Sequence, residues 1–146
     1  MTKKALIRLI DSSLPLPAYQ TKGSAAFDLY SRVDMFINPG TMGLVPLNVC
    51  IKIPEGHVAI MAPRSSLFKK QNLILANNMG IVDEDFCGDN DEYLAQLYNI
   101  GPVAAKITKG ERICQVLIIP ITKIKFEQVE KMPDTSRGGF GSTGMH

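Results

Sequence analysis

Apolar and polar positions alternate along most of this chain with the two-residue period of half-buried strands. Lys4-Ala5-Leu6-Ile7-Arg8-Leu9-Ile10 is apolar and partly alternating. Arg32-Val33-Asp34-Met35-Phe36-Ile37 alternates cleanly and stops at Asn38-Pro39-Gly40, a turn signal. Leu44 to Ile53 follows, with Val45, Leu47, Val49, Ile51 and Ile53 predicted on one face. Pro54-Glu55-Gly56 turns the chain into a short strand from His57 to Ala62. Further strands are predicted at Gln71 to Ala76, Met79 to Val82, Tyr93 to Ile100, Val103 to Ile107, Arg112 to Ile121 and Lys123 to Val129. No helical periodicity lasts three turns, and one helical turn within Ser65 to Lys70 is the most the pattern supports. About ten short strands punctuated by Gly and Pro predict an all-β fold, a jelly-roll-like sandwich or barrel.

Composition narrows the class. The 146 residues make one domain, and 45% hydrophobic against 21% charged residues excludes wholesale disorder. Sixteen basic and fourteen acidic residues leave +2, too weak a balance for a protein that neutralises many nucleic-acid phosphates. No apolar run approaches the ~20 residues that span a bilayer. Met1-Thr2-Lys3-Lys4 runs into a stretch broken by Arg8 and Asp11, which does not read as a signal peptide. No membrane and no nucleic-acid partner are expected. The expected setting is the cytoplasm, with a nuclear or viral setting left open. Cys50, Cys87 and Cys114 are odd in number and far apart, so reduced thiols are expected rather than disulfides or zinc. His57 and His146 are too few for a His-rich metal site.

The last sixteen residues differ from the rest. Lys131 to His146 holds four glycines and one aromatic, Phe140, too little to order itself alone. The division expected is therefore an all-β domain over 1–130 and a flexible Gly-rich arm over 131–146. A frayed terminus accounts for that composition. Yet Arg137-Gly138-Gly139-Phe140-Gly141-Ser142-Thr143-Gly144 combines a fixed cation, an aromatic face, hydroxyls and unshielded backbone N–H groups, the parts of a phosphate-binding nest.

Four other stretches carry candidate chemistry. Ser24-Ala25-Ala26-Phe27-Asp28-Leu29-Tyr30-Ser31 sets one acid among small and apolar residues, which equally describes an acid at a strand end. Ala62-Pro63-Arg64-Ser65-Ser66-Leu67 makes a strand leave its ladder at a proline and then presents a planar guanidinium and two hydroxyls. These suit phosphate oxygens, or a plain solvated turn. In Asn77-Asn78-Met79-Gly80-Ile81-Val82-Asp83-Glu84-Asp85-Phe86, Asn77 has the donor and acceptor to read an imide edge such as uracil's. Gly80 permits close backbone approach. Asp83 follows two β-branched residues, is expected to be partly shielded, and suits a general base. A hairpin with acids at its tip is the plainer alternative. Lys109-Gly110-Glu111-Arg112-Ile113-Cys114-Gln115-Val116 puts one amide, Gln115, into an apolar strand, where it must find a partner, line a pocket or face an edge.

In order, these five stretches resemble the five motifs of the trimeric deoxyuridine triphosphatase (dUTPase) family, over nearly the whole chain. The resemblance implies a jelly-roll-like subunit in a homotrimer with shared active sites, hydrolysing dUTP to dUMP and pyrophosphate with Mg²⁺. Asp83 would activate the attacking water. Asn77 and the backbone at Gly80 would read uracil, and Phe86 would stack on the deoxyribose. Arg64, Ser65, Ser66 and Gln115 would line the phosphate chain. Asp28 would sit by the water shell of Mg²⁺, itself held mainly by substrate phosphates. Arg137, Phe140, Gly141, Ser142 and Thr143 would close over the substrate from another subunit.

The chain departs from the family pattern in places. Ala26 and Ser66 stand where glycine is usual, and Phe86 stands for tyrosine. Ten residues separate Gly88 from Asn99, and Asp89, Asp91 and Glu92 make that insert acidic. The last motif is two residues short between Arg137 and Phe140. Two rivals share the scaffold. Arg64-Ser65-Ser66 resembles dCTP deaminase or a bifunctional deaminase, but the position matching that enzyme's glutamate holds Gln96, which cannot act as a carboxylate. A non-enzymatic nucleotide-binding module would be marked by loss of the base, and Asp83 is present.

Overall fold

Val45, Leu47, Val49, Ile51 and Ile53 all lie in the core, as the spacing predicts, and Asn48 and Cys50 between them are buried as well. A computed structural model describes residues 3–139. It contains eleven strands, β1 (Leu6–Leu9), β2 (Phe27–Tyr30), β3 (Met35–Ile37), β4 (Met42–Pro46), β5 (Val49–Lys52), β6 (His57–Pro63), β7 (Leu73–Leu75), β8 (Gly80–Val82), β9 (Leu94–Asn99), β10 (Ala105–Ile107) and β11 (Arg112–Pro120). The one helix, α1 (Leu67–Gln71), falls where a helical turn is predicted, and Asn72 ends it in the left-handed conformation.

All ladders are antiparallel. The largest sheet runs β2-β11-β6-β8, a second runs β4-β9-β7, and β1-β5 and β10-β3 form two-stranded ribbons. The inner faces enclose a single apolar core that includes Leu29, Ile37, Leu97, Ile107, Ile113 and Val116. This is the jelly-roll-like all-β subunit the sequence predicts.

Three local expectations differ from the structure. Phe27, Asp28 and Leu29 are all buried, so β2 shows no in–out alternation to betray it as a strand. The run Leu44 to Ile53 is two strands, broken where Asn48 takes φ 70°. Lys123 to Val129 alternates like a strand but joins no ladder among the described residues, and Ile124 and Phe126 stand 67% and 86% exposed. A strand needs a partner edge, and among the described residues no strand pairs with this segment.

The break at Asn48 is held by a polar node inside the fold. Asn48 Oδ1 accepts the Asp11 N–H at 2.6 Å, and Asn48 Nδ2 donates to the Asp11 carbonyl at 3.0 Å. The Asn48 N–H donates to Glu92 Oε1 at 2.9 Å. Glu92 also takes a two-point bond from Arg32, at 2.8 and 2.9 Å. That geometry makes the pair directional as well as charged. The acidic insert is thus an internal tie. Asp91 accepts the Gly88 N–H, and the Asp89 carbonyl accepts from Arg8 and from the Cys50 thiol. Cys50 and Cys114 are buried and Cys87 is half-buried, all three as free thiols. Burial pushes the Cys114 thiol up to about 12.

Asp11 links this node to the surface. Its hydrogen bond with the Lys109 ammonium, and then those from Ser13, hold its carboxyl well below the usual carboxylate range. A pKa lower in the folded than in the unfolded state gives stability that is complete above the unfolded value and is lost as pH falls. Denaturant midpoints measured from about pH 6 to pH 2 should therefore fall less steeply for Asp11→Asn than for the parent chain, which should be the more stable of the two at neutral pH.

Candidate active site

The large sheet carries both groups of signalled residues, one at each side. On β11, Gln115 lies opposite Asp28 of β2 and opposite Ala62 of β6. Directly opposed residues share a face. Asp28 and Gln115 are therefore neighbours on one face of the sheet. Next to them β6 leaves the ladder after Pro63, and Gln115 Nε2 donates to the Pro63 carbonyl at 3.1 Å. That contact supplies the partner a half-buried amide requires.

Asp28 is 8% exposed, and both carboxylate oxygens are engaged. Oδ1 accepts from Arg64 Nε at 3.1 Å and Oδ2 from Arg112 Nη1 at 3.2 Å. An isolated carboxylate at that depth would be costly, and two guanidiniums side by side would repel. Together the three groups are mutually compensated. Each arginine uses one donor on Asp28, which leaves the rest of its fork for an anion. The cleft beside them, about 330 Å³, is lined by Tyr30, Arg64, Ser66, Lys70 and Arg112 among others. Ser65 lies exposed in the adjoining turn.

Arg112 was not singled out by sequence reasoning, for a geometric reason. The β2–β11 register shifts between Arg112 and Cys114, so Arg112 stands opposite Tyr30 with Ile113 as an extra residue. Bulges of this kind re-aim side chains. In an unbroken ladder Arg112 would face away from Asp28. A bulge leaves no mark in the hydrophobic pattern.

The second group lies beyond β8, which pairs with β6 through Gly80 and Met61. A cleft of about 280 Å³ there is lined by Met61, Asn77, Gly80, Asp83, Phe86 and Tyr93, with others. The structure thus brings together the four residues signalled in this stretch. Gly80 packs closely on Met61, since a Cβ there would lie 2.9 Å from Met61 Cε and 3.1 Å from Met61 Cβ, and Met61 would have to shift to admit it. Phe86 is half-exposed and tilts over the Tyr93 ring, centroids 6.3 Å apart. Tyr93 forms the floor of the cleft. Burial pushes its phenol up to about 12, and its hydroxyl has no protein partner among the described residues. It too went unsignalled, because a buried tyrosine in a strand reads as core.

Asp83 is exposed, not shielded. β8 ends at Val82, and the turn that carries Asp83 projects past the sheet, so the β-branched residues before it do not cover it. Gln96 lies on the exposed face of β9 and lines neither cleft, which leaves the deaminase reading without its acid/base. A larger cavity, about 410 Å³, is mostly apolar and lined by residues such as Tyr19, Phe27 and Ile118, none of which was signalled as chemistry. Volume alone does not locate the site. Arg137 is exposed, while Phe140, Gly141, Ser142 and Thr143 lie outside the described residues.

The deciding match spans the chain, since the dUTPase family model covers residues 12–144. The chain belongs to the dUTPase family. A deoxyuridine 5'-triphosphate nucleotidohydrolase of Dictyoglomus turgidum is 40% identical, covering 97% of this chain and 99% of its own. One from Rhizobium rhizogenes is 41% identical over 96% of this chain and 92% of its own. The solved dUTPase of Streptococcus mutans, 28% identical, superimposes at a TM-score of 0.75 over 82% of this chain and 98% of that one. The Staphylococcus bacteriophage 80alpha dUTPase solved with dUpNHpp, 24% identical, has the same fold at a TM-score of 0.86 over 98% of this chain and 99% of its own.

The family is metal-dependent, and among the described residues no group of three or more His, Cys, Asp or Glu could cage a metal. Asp28, the carboxylate singled out for the metal, has its two oxygens bonded to Arg64 and Arg112. No helix among the described residues is long and apolar enough to cross a membrane.

Removing the carboxylate that pairs the two guanidiniums should weaken the subunit. Asp28→Ala is expected to lower unfolding stability by about 1–3 kcal/mol, the cost of leaving partly buried charged donors unpaired. Thermal melts at fixed protein concentration check it.

Proposed function

We propose that this protein hydrolyses dUTP to dUMP and pyrophosphate, with Asp83 as general base and Mg²⁺ as cofactor. The observation that carries this is the cleft in which an amide, a carboxylate and an aromatic face converge, Asn77, Asp83 and Phe86 over a tyrosine floor. Asn77 pairs with the uracil edge, with the backbone at Gly80 beside it. Phe86 stacks on the deoxyribose. Asp83 takes a proton from water as the oxygen of that water bonds to phosphorus. The α–β bridging bond breaks, and pyrophosphate leaves. Mg²⁺, when bound, offsets phosphate charge and orients the chain for attack. Asp28 would sit beside its water shell, and it keeps Arg64 and Arg112 placed. Arg64, Ser65, Ser66 and Gln115 hold the phosphates.

The two clefts share no lining residue, which supports a site shared between subunits of a homotrimer. The nucleoside cleft of one subunit meets the phosphate cleft of a neighbour. Residues 131–146 then act as an arm apart from the 1–130 domain, with Arg137 on the terminal phosphate, Phe140 over the uracil and Gly141, Ser142 and Thr143 adding phosphate contacts. The exposure of all of residues 131–139 supports an arm that has no place on its own subunit.

Asp83→Asn tests the base. Turnover should fall ~10²–10⁴-fold, because an amide cannot take the proton. Binding of a non-hydrolysable dUTP analogue should stay within about threefold, as measured by calorimetry. Near-normal turnover would remove Asp83 from the role. Truncation after Lys131 tests the arm. Folding and trimerisation should persist, while kcat falls on the order of 10³-fold, the lower end for an arginine placed on transferring phosphates. A kcat within about threefold of the full chain would make the arm a frayed end.

A further inference from the structure

Asp83 stands one residue beyond the last rung of its strand. The final pair of β8 is Val82 with Ala59. Past it the chain turns, and the closing bonds are Phe86 N–H to the Asp83 carbonyl at 3.2 Å and Cys87 N–H to the Asp85 carbonyl at 3.0 Å. A base must be held to within about 0.5 Å of its productive position. Two local turn bonds at the edge of a sheet do not supply that alone.

Glu84, the next residue, ties this turn to two distant parts of the chain. One carboxylate oxygen accepts the Gly56 N–H. The other accepts the Lys123 ammonium. Gly56 sits in the turn between β5 and β6 at φ +71°, a conformation that favours glycine, and its carbonyl accepts the Ile121 N–H at 2.9 Å. The turn carrying the base, the hairpin turn before β6 and the first residues after β11 therefore meet at one carboxylate. Lys123 opens the segment that leads to the arm, and it also lies in the field of Asp83 and Asp85. It is 71% exposed, so the ion pair adds little to stability. Its consequence is geometric.

We propose that Glu84 is a positioning residue. It fixes the Asp83 turn against the β5–β6 turn and, through Lys123, against the segment that follows β11. This rests on Asp83 as the base. Neither Glu84 nor Lys123 touches substrate. The restraint acts on the placement of the base, and so on turnover rather than on binding.

The test uses the full-length chain with Glu84→Gln, Lys123→Gln and their pair. Glu84→Gln keeps an acceptor for Gly56 and removes only the ion pair. Glu84→Gln and Lys123→Gln should each lower kcat about 5- to 20-fold, with KM for dUTP and affinity for a non-hydrolysable analogue within about twofold. The pair should be no worse than the worse single variant, since both break one link. A kcat within twofold of the parent for both single variants overturns the proposal, as does a double variant that multiplies the two single losses. Should Glu84→Gln fold poorly, the exposed Lys123→Gln carries the same comparison. Asp83→Asn run alongside separates the two failures. If it stays active the base assignment falls, whereas an inactive Asp83→Asn beside an unaffected Glu84→Gln overturns the positioning role alone.

Discussion

Two guanidiniums cannot share a small cleft without a counter-charge between them, and Asp28 is that counter-charge. Its burial makes the arrangement demanding. Arg64 must arrive from the end of β6, Arg112 from β11 and Asp28 from β2, all in register. The β11 bulge at Ile113 and the departure of β6 after Pro63 are what allow it. A half-paired version would leave a buried charge uncompensated, a much larger penalty than the intact cluster is worth in stability. The sheet β2-β11-β6-β8 thus serves as a jig, with the cation pair on one side and the carboxylate-bearing turn beyond its β8 edge.

Much of this was legible in the sequence because it is local. Asn77, Gly80, Asp83 and Phe86 fall within one strand and its flanking turns, so a reading of that stretch already places them together. The burial of Val45, Leu47, Val49, Ile51 and Ile53 was legible in their period-two spacing, although the predicted single face is split over two strands of different sheets. What the sequence did not reveal is long-range. β2 is covered on both faces, so its residues do not alternate. Arg112 depends on a bulge, and Tyr93 on which floor lies under Phe86. The polar node at Asn48 joins residues 11, 32, 48 and 92, a contact set that no spacing rule encodes. Lys123 to Val129 shows the opposite failure. Alternation there signals a strand that wants a partner, without saying whether its own chain provides one.

The acidic insert shows how little charge alone says of a role. In sequence Asp89, Asp91 and Glu92 mark only an acidic departure from the family pattern. In the fold, Glu92 is the acceptor for three donors and Asp91 closes the Gly88 turn. Net charge was thus a poor guide to this stretch, whereas the count of backbone and guanidinium donors needing a partner explains it.

Exposure of the reacting groups is the last piece. Asp83 stands open to solvent, and the arginine side chains are 29% and 40% exposed. Charges so placed act through a high effective dielectric and are screened by salt. The same groups gain several-fold in electrostatic strength once water is displaced around them. On the proposed mechanism, that displacement has three sources: the substrate itself, the neighbouring subunit and the arm. Each alone leaves a side open. On that mechanism a lone chain keeps an exposed carboxylate in one cleft and partly screened cations in another, and chemistry becomes efficient only where assembly and closure bring them against the same phosphates. Glu84 fits this logic, since a base that projects past the sheet gains most from a tie to the β5–β6 turn and to the segment after β11.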